Sequence, residues 1–312
     1  MTPGLSSDEQ PLGDRLVDAV NRAAGVHPGH RALHAKGIGA TGTFTATGEA
    51  TAITTAAHLQ AGSVPVTVRF SNGSGNPDQA DGARDGRGFA VRFHLLDGSN
   101  TDLVTLSLPV FFVRTVDDFL AFTAARVPDP ATGQPDLNRI LAFLGEHPEA
   151  QPAAELSIAA EAPASYTSIP YHGVHAFWFI DADGRRQAIK YRWEPDAGVA
   201  TIPDDRAADL DPGYLGAELR SRLAESSASF TLHIVAGADD DPTDDPTAAW
   251  PDDRPSIVAG QLTLEDVADD QATVDSLIFD PTRTTAGIEC TDDPILLARA
   301  EAYGTSYSRR QG

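Results

Sequence analysis

Near one end of the chain, Arg299 and Tyr303 stand four residues apart. On a helix that spacing puts both side chains on one face, and a cation beside a phenol favours the phenolate. A phenolate is a hard anionic ligand, and tyrosine-ligated haem iron is a known arrangement. Near the other end, GVHPGHRALHAKG carries His27, His30 and His34. His30 and His34 would share a helix face and could grip a metal, but Pro28 and Gly29 interrupt any helix there, and no acidic ligand lies nearby in sequence. His27 and His30 therefore read as polar loop residues. His34 opens a strand in an apolar run, where an imidazole must find a partner or a task.

The elements that must position these residues lie in a chain of 312 residues, 41% hydrophobic and 22% charged, close to globular averages. That length suits one large β-rich domain or two ordinary ones. The 23 Lys and Arg against 45 Asp and Glu give a net charge of −22. Such a surface repels phosphate backbones and anionic lipid, so neither nucleic acid nor a membrane is expected as a partner. Only Lys36 and Lys190 are lysines; the remaining cations are Arg, which suits specific anion sites. Cys290 is the sole cysteine, which excludes an intrachain disulfide, a zinc knuckle and an iron–sulfur cluster. The N-terminus has no basic region followed by an apolar core, and no stretch reaches the roughly 20 apolar residues of a membrane span. The expectation is a cytoplasmic monomer or homodimer.

Residues 1–12 read as a flexible tail and 13–312 as a single domain. From Asp14, DRLVDAVNRAAG places Leu16, Val17 and Val20 on one helical stripe that Gly25 can stop. Strand-like runs follow at 36–47, 64–71, 88–95 and 102–108, then helical spacing at 115–127 and 137–147. Four further strands are expected at 173–181, 185–193, 229–236 and 256–264, with a hairpin at Asp183-Gly184 and a helix at 215–226. A last helix, 292–303, has Asp292 or Asp293 as its cap. Eight antiparallel strands with this spacing would close into a barrel wide enough to hold one ligand near its mouth. ADDDPTDDPT (238–247) reads as a solvated acidic loop without the Gly and Glu of a calcium-binding hand.

Five motifs, HAKG (34–37), VRFSNGSG (68–75), RDGRGFAVRF (84–93), DLVTLSLPVFFVR (102–114) and ARAEAYGTSYSRR (298–310), stand in the order of the catalase core. From about His30 to Arg310 the chain resembles the haem catalase family, and looks most like its short members, the catalase-related peroxidases. The resemblance implies an α+β fold, a catalase-like eight-stranded antiparallel β-barrel with surrounding helices, and haem b as cofactor. It assigns His34 as the distal base and Ser71 as the serine that fixes the tautomer of its imidazole. Tyr303 matches the axial ligand, the metal-binding residue, and Arg299 the arginine that keeps it ionised. His175 and Asp293 match the residues that hold that arginine. Arg31, Arg69 and Arg310 match the arginines that bind the haem propionates, and Phe119 the ring stacked on the haem.

Two departures stand out. Leu106 replaces the family's distal asparagine, removing a donor from the peroxide pocket. Gly73 replaces the valine that narrows the access channel, which should widen the entrance beside Asp85. The resemblance then implies a peroxidase that reduces hydrogen peroxide or organic hydroperoxides with an organic electron donor and dismutates hydrogen peroxide weakly. The alternatives are a hydroperoxide-rearranging enzyme like the catalase-like allene oxide synthases, a minimal catalase, or a non-enzymatic haem carrier. Against the last stand His34, Ser71, Arg299 and Tyr303 together.

Overall fold

Alternating Val, Thr and Phe residues make the strands that carry the site. In the computed structural model, which describes residues 10–311, helix α1 (Leu12–Ala24) leads into a meander of β1 (Gly37–Ala46), β2 (Gly62–Asn72), β3 (Arg87–His94) and β4 (Asn100–Leu106). Three helices follow, α2 (Val116–Ala125), α3 (Leu137–Glu146) and α4 (Gln151–Ala159), and then β5 (Ala162–Pro163), β6 (Tyr171–His172), β7 (Phe177–Ile180) and β8 (Arg186–Pro195). After β9 (Thr201–Ile202), α5 (Asp204–Ala207) and α6 (Tyr214–Glu225) come the long strands β10 (Ala228–Ala236) and β11 (Ser256–Val267). The chain ends with α7 (Gln271–Ser276), β12 (Ile288–Cys290) and α8 (Pro294–Gln311).

The ring closes in the order β1-β2-β3-β4-β6-β8-β10-β11 and back to β1, all pairs antiparallel. Seven of the eight expected strands lie in the ring, and the eighth does not fall where it was expected. The run at 173–181 is strand only at 177–180, as β7, which pairs with part of β8 and with β12, while Tyr171–His172, just before the run, joins the ring against β4 and the other half of β8. The break at 173–176 frees the backbone to turn His175 towards α8. The Asp183-Gly184 hairpin forms, with the Asp181 N–H donating to the Arg185 carbonyl at 3.0 Å.

Period-2 alternation sorts the strand residues. Val66, Val68 and Phe70 of β2, Phe89, Val91 and Phe93 of β3, Phe44, Trp193 and Phe230 are all buried in one cluster. Phe70 stacks on Phe89 at 4.7 Å between ring centres and on Tyr166 at 5.3 Å, while Phe89 leans on Phe230 at 4.9 Å. Each such pair adds about 0.5–1.5 kcal/mol beyond the apolar area it buries. The barrel interior is therefore filled by side chains, and the expectation of a ligand at its mouth is wrong. The outward residues of the same strands, Arg69, Ser71, Gly88, Ala90, Val104 and Leu106, build one wall of a cleft on the outer face.

Helices α1, α2 and α8 supply the facing wall. α1 buries Leu16, Val17, Ala19 and Val20 and stops at Gly25 (φ +87°) as expected. It begins at Leu12, inside the stretch read as a tail, with Pro11 before it and Asp14 in its first turn; residues 1–9 of that stretch lie outside the described residues. Arg309 of α8 pairs with Asp14 at 2.7 Å and with Asp18, pinning α8 alongside α1. The acidic loop is not merely solvated, because Asp241 is buried and forms a two-pronged pair with Arg254 at 2.7 and 2.9 Å.

Candidate active site

One row of residues crosses four strands at the cleft floor. Ser71 is paired in register with Gly37 on β1 and Gly88 on β3, and Gly88 is paired with Leu106 on β4. The two glycines are there for space. A Cβ at Gly88 would lie 2.6 Å from Ser71 Oγ and 2.9 Å from His34 Nδ1, and one at Gly37 would lie 2.5 Å from the Arg69 guanidinium. Into the gap above Gly88 comes His34, whose Nδ1 stands 3.0 Å from Ser71 Oγ. His34 does not open β1 as expected; it lies three residues before it, in the left-handed region at φ +56°. It is the one non-glycine residue with positive φ among the described residues. A non-glycine residue held there costs about 1–3 kcal/mol, supplied by surrounding contacts. Those contacts are the Gly73 carbonyl, which accepts from the His34 N–H at 3.2 Å, and Arg69 Nη1, which donates to the His34 carbonyl at 3.0 Å.

Burial, reinforced by the cations of Arg69, Arg299 and Arg31, pushes the pKa of His34 down to about 3. The imidazole is therefore neutral near pH 7, with Nδ1 on Ser71 and Nε2 on the far side of the ring.

The opposite wall is a relay anchored on α8. Asp293 Oδ1 accepts from the backbone N–H groups of Ile295 at 2.8 Å and Leu296 at 3.2 Å, capping the helix. Its other oxygen accepts from His175 Nδ1 at 2.6 Å. Arg299 Nη1 donates to His175 Nε2 at 2.9 Å, and Arg299 Nε donates to the Tyr303 hydroxyl oxygen at 2.9 Å. Because a carboxylate only accepts and a guanidinium only donates, His175 must carry its proton on Nδ1. Burial lowers its pKa, against the pull of Asp293, which agrees with that neutral form. The relay leaves two guanidinium nitrogens on the Tyr303 oxygen, the second bond being from Nη2.

Arg31, Arg69 and Arg310 meet at one rim of the same cleft. Arg69 is buried and donates from Nε to Asp275 at 2.9 Å; Arg31 Nη1 reaches the same carboxylate at 3.4 Å. Arg31 Nη2 donates to the Leu277 carbonyl at 2.6 Å, and Arg310 Nη2 lies 3.3 Å from that of Ser276. Burial, then the neighbouring charges of Arg69 and Arg310, push Arg31 down to about 9. Three guanidiniums around one carboxylate leave the rim two negative charges short, and Arg310 Nε is buried without a hydrogen-bond partner among the described residues. A flat apolar molecule with two carboxylates fits that imbalance. The cleft itself encloses about 1280 Å³ of empty space, part of it open to solvent, with a mostly hydrophobic lining that includes Phe119, Phe111, Leu106 and Ile295.

The ten residues to which the resemblance assigns a part are thus brought together: His34, Ser71, Arg31, Arg69, Phe119, Arg299, Tyr303 and Arg310 line the cleft, and His175 and Asp293 stand behind Arg299. His27 and His30 lie in the turn after α1, His27 Nε2 3.1 Å from the Ala24 carbonyl. At Gly73, where a wider entrance was expected, a Cβ would meet Asp85 Oδ1 at 2.7 Å, so the carboxylate stands in the space that a side chain there would take. The sequence reading missed Asp275 and Gly88. Gly88 had a local signal, standing inside the RDGRGF motif; Asp275 had none, its arginine partners being 206 and 244 residues away.

A family model described as Catalase matches residues 16–312. The chain belongs to the catalase family. It is 38% identical over 301 residues to a catalase-related peroxidase of Mycolicibacterium paratuberculosis, covering 96% of this chain and 95% of that protein. It is 33% identical to a catalase-related peroxidase of Synechococcus elongatus, covering 95% and 88%. A crystal structure of a fungal catalase superposes with a TM-score of 0.85 at 26% identity, covering 95% of this chain and 62% of that one. Against Catalase-2 of Bacillus subtilis the identity is 31%, but the chain spans only 44% of its length.

Proposed function

We propose that residues 13–312 form one haem b peroxidase unit that reduces hydrogen peroxide or organic hydroperoxides with an organic electron donor. The family places the chain among haem-binding oxidoreductases that act on peroxide. The observation that carries the finer reading is a single cleft with a neutral, strained His34 on one wall and the Asp293–His175–Arg299–Tyr303 relay on the other. Tyr303 would ligate the haem iron, Arg31, Arg69 and Arg310 its carboxylates, and Phe119 would lie against the macrocycle. Haem, when bound, supplies the redox-active iron that takes up the oxidising equivalents of the peroxide.

The chain's own residues supply the rest. His34 Nε2 takes the proton from one peroxide oxygen and returns it to the other, so that the departing oxygen leaves as water or alcohol. Ser71 holds the far side of the ring, keeping Nε2 aimed into the cleft. Arg299 donates from Nε and Nη2 to the Tyr303 oxygen and so holds it in place, aimed into the cleft. Leu106 offers no hydrogen bond, so a second hydrogen peroxide finds one polar handle where two are needed to orient it. Oxygen evolution should be slow and donor oxidation the main outcome.

Reconstitution with haem tests this. Wild type should show a Soret band with high-spin ferric features and oxidise a phenolic donor with an organic hydroperoxide. Tyr303→Phe should fail to hold haem, since a phenyl ring has no donor atom. His34→Ala should keep it and lose about 10²–10⁴-fold in the peroxide step. Full haem occupancy in Tyr303→Phe, or an unchanged peroxide step in His34→Ala, would show these assignments to be wrong.

A further inference from the structure

We propose that Asp275 is a built-in competitor for the cofactor's carboxylates, occupying donors of Arg69 and Arg31 that a bound dicarboxylate macrocycle must share. The proposal rests on the haem reading above and extends it to a residue outside the five motifs.

The geometry of the rim sets the competition. Asp275 Oδ1 accepts from Arg69 Nε at 2.9 Å and from Arg31 Nη1 at 3.4 Å. The carbonyls of Ser276 and Leu277, just beyond it, accept from Arg310 and Arg31. The end of α7 thus offers acceptors to all three arginines assigned to the cofactor. The two sides of the contact differ in freedom. Arg69 is 4% exposed and is fixed by the carbonyls of His34 and Ala35, whereas the Asp275 side chain is 52% exposed at the end of a six-residue helix. When a cofactor carboxylate approaches, the carboxylate of Asp275 is the group that can rotate into water. Its pull on Arg69 is lost at that moment and subtracts from the affinity. With no cofactor carboxylate present, it partly neutralises three like charges held together at low exposure, which would otherwise repel one another.

Removing the charge should therefore move two quantities in opposite directions. Asp275→Asn should melt at lower temperature than wild type when both are free of cofactor. It should bind metal-free protoporphyrin IX about 2- to 5-fold more tightly, the weight of a half-exposed ion pair given up. The metal-free porphyrin isolates the carboxylate contribution from ligation by Tyr303. Its dimethyl ester, which has no carboxylate to contest, should bind wild type and variant equally. Asp275→Ser removes the same charge and serves if Asp275→Asn does not fold, folding being checked by circular dichroism. Asp275→Glu, which keeps the charge, should return both quantities towards wild type. A residue with a merely structural role would lower stability and affinity together, and that result overturns the proposal. So does a variant whose tighter binding is equally large for the dimethyl ester. Wild type that shows no saturable binding of protoporphyrin IX overturns the haem reading and this proposal with it.

Discussion

Leu106 stands where one side chain would bear on the balance between dismutation and donor oxidation proposed above. Its register partner is Gly88, which has no side chain, so the isobutyl group enters the cleft beside the His34–Ser71 pair. An amide at that position would have a clear path to the same space. Leu106→Asn should raise oxygen evolution from hydrogen peroxide, relative to donor oxidation, by about 5- to 10-fold, the weight of one neutral hydrogen bond. An oxygen electrode run beside a phenol-oxidation assay checks it; an unchanged ratio would mean that the second polar handle does not limit dismutation. At this scale the sequence was informative. RALHAKG and ARAEAYG carry residue types whose chemistry is visible without coordinates. What it could not carry was conformation: the φ of +56° at His34 follows from Gly73, Arg69 and Ser71, contacts that exist only once β2 is in place.

Helix α8 and its cap act as one unit with the site. Asp293 spends one oxygen on the helix N-terminus and the other on His175, so the carboxylate that starts α8 also orients Arg299 and through it Tyr303. Asp293→Ala should cost about 2–5 kcal/mol, combining a lost cap with a buried His175 Nδ1–H left unpaired. Haem retention should weaken in parallel, because Arg299 loses its backing. Urea unfolding followed beside the Soret band measures both. A variant that loses stability yet holds haem as wild type does would detach the cap from the relay. Pro294 in the first turn and the acidic residues before it made the start of α8 legible. The strand between β4 and β8 was not, since GVHAFWFID has the composition of one continuous strand, whereas its first four residues are irregular and Tyr171 and His172 before it make the ring contact. Likewise eight strands could be counted along the chain, but whether the ring is hollow depends on Phe44, Phe70, Phe89, Trp193 and Phe230 meeting from five different strands.

For the molecule as a whole, the buried imidazoles decide how it meets acid. Burial holds His34 and His58 at about 3 and His172 at about 4, against an ordinary value of 6.5. The unfolded chain takes up these protons as the pH falls through 6.5, whereas the folded chain refuses them until the pH nears 3 to 4. Folding stability should therefore decline steadily as pH drops across that window, since the unfolded state binds more protons throughout it. His58, sealed at 4% exposure with Nδ1 unpartnered, should contribute most; His34 and His172 border open space and should contribute less. The carboxylates held down by hydrogen bonds act in a lower range. Hydrogen bonds from Ser99, Arg185, Arg254 and Thr273 hold Asp97, Asp181, Asp241 and Asp270 below the usual 3.8, so their stabilisation disappears only as pH falls beneath that value. Urea midpoints measured from pH 7 to 4.5 should fall from about 6.5 downward, before the carboxylates titrate. In His58→Leu the slope over the same window should be shallower by close to one proton. A wild-type curve that stays flat to pH 5 would mean that these histidines are solvated enough to charge in the folded state, and with it the neutral His34 that the proposed proton transfer requires would lose its physical basis.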